Sequence, residues 1–136
     1  MGTRSLTVFK ESNGEEIVVM YRQYDGYPTC HGKDLQDFLK GFTIVNGYSE
    51  TNKIANGMGC LSAQVIAELK DGCGNIYLYP AGTRDVWEDY IYTLYPEKND
   101  GTGKVMIKCI TPAWDKYPEK VIYEGLLDNW DIKEEE

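Results

Sequence analysis

The stretch Arg4-Ser5-Leu6-Thr7-Val8-Phe9-Lys10, Glu11-Ser12-Asn13-Gly14-Glu15, Glu16-Ile17-Val18-Val19-Met20-Tyr21-Arg22-Gln23-Tyr24 decides the fold. Two runs rich in β-branched and aromatic residues flank an Asn-Gly pair, the strongest short-range hairpin signal a sequence can carry. A two-residue type I′ loop at Asn13-Gly14 puts Phe9 opposite Val18, Thr7 opposite Met20, Ser5 opposite Arg22 and Arg4 opposite Gln23. Strand side chains alternate, so one face carries Phe9, Val18 and Met20 and ends in Thr7, Ser5 and Arg22. The other carries Leu6, Val8, Val19 and Tyr21 and ends in Arg4 and Gln23. The open end of the hairpin is polar on both faces and delivers Arg4 and Arg22 to the segment that follows.

That segment, Tyr21 to Gly32, reads Tyr-Arg-Gln-Tyr-Asp-Gly-Tyr-Pro-Thr-Cys-His-Gly. It holds the only histidine of the chain, a cysteine and three tyrosines, and no aliphatic side chain. Such a composition predicts a contact surface rather than a core. Asp25-Gly26-Tyr27-Pro28 within it reads as a turn, because Gly permits unusual φ and Pro fixes it.

Beyond it, Leu35, Phe38 and Leu39 predict a short helix over Lys33–Lys40 with Gly41 as its stop, followed by a short strand over Phe42–Val45. Met58, Leu61, Val65, Ile66 and Leu69 mark a second, amphipathic helix ended by Asp71-Gly72 and approached through Asn56-Gly57-Met58-Gly59. The remainder predicts strands at Asn75–Tyr79, Asp89–Tyr95, Lys104–Ile110 and Lys120–Tyr123. With no βαβ alternation, the expectation is a single α+β domain over residues 1–130, a mainly antiparallel sheet with two helices on one face. Residues 131–136 are expected as an acidic tail.

Composition excludes several classes. The chain has 136 residues, 42% hydrophobic, which suits one globular domain. No apolar run approaches the ~18 residues a membrane span needs. Met1-Gly2-Thr3-Arg4 runs into strand pattern without a charged-then-apolar leader, so a cytoplasmic protein is expected, in the host cytoplasm if the source is viral. Net charge is −8, with six basic against seven acidic residues up to residue 60 and eight against fifteen beyond it. An acidic protein is a poor ligand for duplex nucleic acid, and neither duplex nor membrane is an expected partner. Cys30, Cys60, Cys73 and Cys109 contain no Cys-x-x-Cys pair, and one histidine cannot complete a zinc site, so no metal and no cofactor are expected.

Candidate chemistry centres on the N-terminal half. Adjacent residues such as Cys30 and His31 point apart and do not make a thiolate couple. His31 alone could serve as acid or base, with Asp25 assisting across the turn. The glycine-rich approaches Gly32-Lys33 and Asn56–Gly59 could hold an anion at a helix N-terminus, although neither matches a P-loop or dinucleotide fingerprint. Tyr24 or Tyr27 could stack on a base while arginine holds phosphate. The tyrosines of the later strands read as sheet face or subunit interface, and Trp87, Trp114 and Trp130 as packing anchors.

The motif Gly2-Thr3-Arg4-Ser5-Leu6-Thr7, with Tyr21-Arg22-Gln23-Tyr24-Asp25-Gly26-Tyr27-Pro28 and His31-Gly32, resembles a family of small phage and prophage proteins. Lys53-Ile54-Ala55-Asn56-Gly57-Met58-Gly59-Cys60-Leu61 and Tyr77-Leu78-Tyr79-Pro80 extend the resemblance over about the first eighty residues. Where such sequences often read Pro-Ser-Gly before His-Gly, this chain has Pro28-Thr29-Cys30. The family has no firmly assigned activity, so the resemblance implies a viral or prophage source more than a function. By analogy with anti-defence sponges, which sequester cyclic nucleotides or cyclic ADP-ribose in aromatic and arginine-lined pockets, a non-enzymatic binder of a small anionic nucleotide immune signal is expected. Its site would comprise Arg4, Ser5, Arg22, Tyr24, Asp25, Tyr27, His31, Lys53, Asn56, Gly57 and Gly59, in a homo-oligomer. On this reading Arg22→Ala abolishes binding and leaves the fold intact. The alternatives are a nucleotide-cleaving enzyme using His31 and a protein–protein inhibitor presenting the acidic, tyrosine-rich C-terminal half to a host factor.

Overall fold

The computed structural model describes residues 2–49, 51 and 53–133; the last three residues of the expected acidic tail lie outside the described residues. Strands β1 (Ser5–Lys10) and β2 (Glu16–Arg22) form the hairpin, followed by a π-helical turn (Pro28–Gly32) running into helix α1 (Lys33–Leu39). Short strands β3 (Thr43–Val45) and β4 (Ile54–Asn56) precede helix α2 (Gly57–Leu69). Then come β5 (Ile76–Tyr79), β6 (Tyr90–Pro96), β7 (Gly103–Thr111), β8 (Lys120–Leu126) and a 3₁₀ turn (Leu127–Asn129).

The predicted hairpin register holds: Ser5 pairs with Arg22, Thr7 with Met20 and Phe9 with Val18. The turn that makes it is different. The Gly14 N–H donates to the Glu11 carbonyl at 3.0 Å and the Glu11 N–H to the Glu15 carbonyl at 2.8 Å. Gly14 takes φ +90° while Asn13 does not enter the left-handed region. This is a three-residue loop with Gly in the αL position, not a type I′ pair. Such a loop shifts the pairing by one, as Lys10 opposite Glu16 shows, and an irregularity at Phe9/Lys10 restores it. The extra residue there is Ile17. Without that bulge every side chain of β2 would face the wrong side of the sheet.

The fold is α+β with a curled, mixed sheet rather than a mainly antiparallel one. Its order is β4-β3-β7-β6-β1-β2-β5, with β8 also paired to β7. Both β1/β6 and β3/β4 are parallel. The sheet is mixed because β6 returns to the free edge of β1 only after the chain has passed through both helices. It then runs alongside β1, placing Leu6 beside Ile91 and Thr7 beside Tyr92. Flanked on both edges, β1 is buried from Ser5 to Phe9.

One sheet face and both helices share the larger core: Phe9, Met20, Tyr92, Leu94 and Ile107 meet Leu35 and Leu39 of α1 and Met58, Leu61 and Val65 of α2. The other face holds Leu6, Val8, Val19, Tyr21 and Ile91 beneath Val86 of the 80–89 loop. That loop is tied down by Arg84, whose guanidinium meets Glu16 at 2.8 Å, and by the Gly82 N–H donating to the same carboxylate. Gln36 of α1 donates to the carbonyls of Leu127 and Trp130, drawing the C-terminal segment onto the core. Among the described residues, no helix is long and apolar enough to cross a membrane.

Candidate functional site

The Tyr21–Gly32 segment divides: Tyr24, Asp25, Tyr27 and Thr29 are exposed, while Gly26, Pro28, His31 and Gly32 fold inward. Gly26 approaches β1 so closely that a Cβ there would stand 2.9 Å from the Thr3 carbonyl oxygen and from Ser5 Cβ. Gly32 lies against Trp130, where a Cβ would come within 3.0 Å of the indole. These two contacts bring Pro28, His31 and Gly32 into the interior.

His31 is 0% exposed. Its Nδ1 lies 2.9 Å from Arg22 NH1 and its Nε2 2.6 Å from Thr7 Oγ1, while its ring meets Tyr92 edge-on at 4.9 Å. A guanidinium can only donate, so Nδ1 is the acceptor and the neutral ring donates its Nε2–H to Thr7. Burial, reinforced by the Arg22 charge, holds the imidazole pKa down to about 3. Arg22, with a side chain 12% exposed, also donates from NH1 to Asp34 Oδ2 at 2.8 Å and from Nε to the Tyr24 carbonyl at 2.9 Å. The Tyr92 hydroxyl donates to the Gly26 carbonyl at 2.6 Å, and burial drives its pKa far upward. The result is a polar network in which both ring nitrogens of His31 are engaged inside the protein, while Asp34 at its outer end reaches solvent. Arg22→Ala would therefore leave Nδ1 without its donor, so this substitution is a folding variant rather than a clean probe of binding.

The other expected site residues divide. Ser5 is fully buried beside this network with its hydroxyl unpartnered. Arg4 belongs to the opposite sheet face, as the alternation requires. Burial there pushes the Tyr21 phenol up while the neighbouring Arg4 guanidinium pulls it down. The two arginines thus do not converge on one pocket. Tyr24 and Tyr27 are 54% and 48% exposed, and Asp25 sits exposed at φ +60°. Lys53 donates to the Lys40 carbonyl and Asn56 accepts from the Gly47 N–H. Gly57 takes φ +80° at the start of α2, while a Cβ on Gly59 would meet open space.

Lys53 and Asp34 share an open groove of about 920 Å³ between α1, the 46–53 connection and α2. Its described lining includes the carboxylates Asp34, Asp37 and Glu68 against the single ammonium of Lys53. That balance disfavours an anion.

The residues that sequence reasoning treated as packing anchors include the most exposed indoles. Trp130 is indeed buried, stacked on Tyr123 at 5.3 Å. Trp87 and Trp114 are 78% and 67% exposed. Trp87 holds φ +67°, a backbone region where a bulky residue is strained by ~1–3 kcal/mol. The strain is imposed by its neighbours: the Glu88 carboxylate accepts the N–H groups of Asp85 and Val86, and Val86 packs inward. Asp89 continues the clamp, donating its N–H to the Arg4 carbonyl and accepting the Arg4 N–H on its carboxylate. Trp114 rides a second tight turn, closed by reciprocal 2.9 and 2.8 Å backbone bonds with Tyr117. Between the turns lies a groove of about 660 Å³ lined by Asp85, Trp87, Glu88, Asp89, Pro112, Ala113 and Trp114. The sequence signal for it was the charged run around Trp87, since an indole amid Arg84, Asp85, Glu88 and Asp89 is badly placed to anchor a core.

Among the described residues, no group of three His, Cys, Asp or Glu side chains is placed to hold a metal ion. No protein-family model, curated protein or solved structure matches the chain, so the function must be read from these two regions.

Proposed function

We propose that the chain is a non-enzymatic binding protein that acts by occupying a protein partner, with the acidic and aromatic C-terminal half as its contact surface. The observation that carries this is the pair of indoles, Trp87 and Trp114, held outward on two hydrogen-bonded turns around a groove of carboxylates. Exposed tryptophan on a rigid support is the residue type that most often dominates the energy of a protein contact. The position of His31 supports the same reading, because both ring nitrogens are engaged by protein groups and neither is available to a bound molecule. On the phage resemblance, the partner is a host component.

The test is affinity capture with three baits: wild type, the Trp87→Gly/Trp114→Ala double variant, and a Tyr24→Ala/Tyr27→Ala variant. Stoichiometric capture of one protein by wild type and by the tyrosine variant, lost in the tryptophan variant, is the expected result. Equal capture by all three baits would defeat the assignment of the surface.

A second reading, sequestration of a small anionic nucleotide, draws on Tyr24 and Tyr27, which present half-exposed rings able to stack on a base. Its phosphate ligands are the weaker part, since Arg22 NH1 and Nε already donate within the protein. A thermal-shift screen against cyclic nucleotides and ADP-ribose derivatives separates the two. A nucleotide that raises Tm in wild type but not in the tyrosine variant would favour sequestration.

A further inference from the structure

We propose that the groove between Trp87 and Trp114 receives a basic, extended segment of the partner, with an arginine or lysine side chain laid against the indoles and paired to Asp85. This deepens the reading above and rests on it.

Charge complementarity selects the occupant. Among the described residues, the lining carries three carboxylates, Asp85, Glu88 and Asp89, and no basic side chain. Two cations of the adjoining loops are engaged elsewhere, Arg84 with Glu16 and Lys116 over the Tyr117 ring at 5.8 Å. Two of the acids are also committed, Glu88 to the backbone of its own turn and Asp89 to the Arg4 N–H. The Asp85 carboxylate has no partner among the described residues, and it stands at φ +61° beside the exposed Trp87. A cation placed there meets an indole face, the best aromatic partner for a cation, and a carboxylate in one site. Pro112 and Ala113 bring no bulky side chain to the lining, which suits an extended backbone. An anionic ligand would face three carboxylates, and an acidic peptide would be repelled by the same charges.

The strained backbone gives the proposal a sharp control. Glycine relaxes at φ +67° where tryptophan does not. If Trp87 served folding, its removal would lower Tm; as a binding residue, its replacement by glycine leaves Tm unchanged or raised while binding is lost. Net charge is the same in the wild type, Trp87→Gly and Trp114→Ala, so non-specific attraction of a polycation to an acidic protein is constant across them.

The experiment is titration of the full chain with hexa-arginine, hexa-lysine, hexaglutamate and a neutral hexasaccharide, read by tryptophan fluorescence and calorimetry. Expected are hexa-arginine binding that weakens with salt, at least a tenfold loss in Trp87→Gly and in Trp114→Ala, a smaller loss in Asp85→Asn, and no response to hexaglutamate. Equal hexa-arginine affinity in wild type and both tryptophan variants overturns the proposal, as does binding of the hexasaccharide alone. If hexa-arginine fails while partner capture still depends on the tryptophans, the basic-segment inference falls and the protein-binding function stands. If capture is also indifferent to the tryptophans, both fall.

Discussion

The Tyr21–Gly32 segment and the two tryptophan turns have exchanged the roles their compositions suggest. The first is polar, aromatic and without an aliphatic residue, yet its histidine and the Pro28 and Gly32 beside it are buried, leaving Tyr24, Asp25 and Tyr27 outside. The second contains the bulkiest apolar side chains in the chain, yet it holds them in solvent. The difference is set by what each side chain can find as a partner. Arg22, His31 and Thr7 satisfy one another, with the half-exposed Asp34 pairing Arg22 at the rim, so burial costs them little. Trp87 cannot turn inward, because Val86 already occupies the inward position and the Glu88 carboxylate fixes the turn. Polarity alone therefore does not decide depth; completed hydrogen-bond sets and backbone geometry do.

The contrast can be broken most forcefully at Arg22. Arg22→Ala should destabilise the fold by about 3 kcal/mol, because it strips the buried Nδ1 of its donor and Asp34 of its cation. Urea unfolding measures this, and a loss under 1 kcal/mol would mean the network is not structural.

Next in size is the pH response. His31 is neutral in the folded state, with a pKa of about 3, while the unfolded ring titrates near its ordinary 6.5. Between those values the unfolded chain binds the extra proton, so acid favours unfolding. The stability His31 confers is complete above about pH 6.5 and declines as pH falls toward 3. Between pH 7 and pH 5 this one group should remove about 2 kcal/mol. His31→Asn, which keeps an acceptor for Arg22, should lose that slope while other titrations remain.

On the opposite face, Glu16→Gln should cost about 1 kcal/mol at neutral pH by weakening the tie to Arg84 and the 80–89 loop. Arg84 holds the Glu16 pKa below its usual value, so the contribution is present above about pH 4.5 and lost as pH falls through the lowered value. Wild type and variant should thus converge in acid, as paired thermal melts would reveal. The smallest effect, and the one of opposite sign, belongs to Trp87→Gly. It should raise stability by up to ~1 kcal/mol through relief of positive-φ strain, where an ordinary core tryptophan would cost several.

Much of the local structure was legible in the sequence. The hairpin pairing, the buried stripe of Met58, Leu61 and Val65, and the terminal strands follow from periodicity and turn chemistry. The Ile17 bulge was not, because a three-residue loop plus a bulge gives the same register as the two-residue loop Asn13-Gly14 suggests. The parallel β1/β6 pairing was hidden by distance, since nothing in Leu6 or Ile91 names the other as neighbour. For the candidate site, the residue types around His31 were visible and their partners half so: Thr7 shares a strand face with Arg22, and Asp34 lies one helical turn beyond His31. Their depth was not visible, because it depends on Gly26 meeting β1 and Gly32 meeting Trp130.

The most direct test of the division between a structural N-terminal network and an exposed C-terminal surface is an NMR pH titration of the imidazole, unambiguous because the chain has a single histidine. The expected result is a neutral ring with its proton on Nε2, showing no titration from pH 8 to pH 5. A midpoint near 6.5 would mean that His31 reaches solvent, and that the segment from Tyr21 to Gly32 is an open site after all.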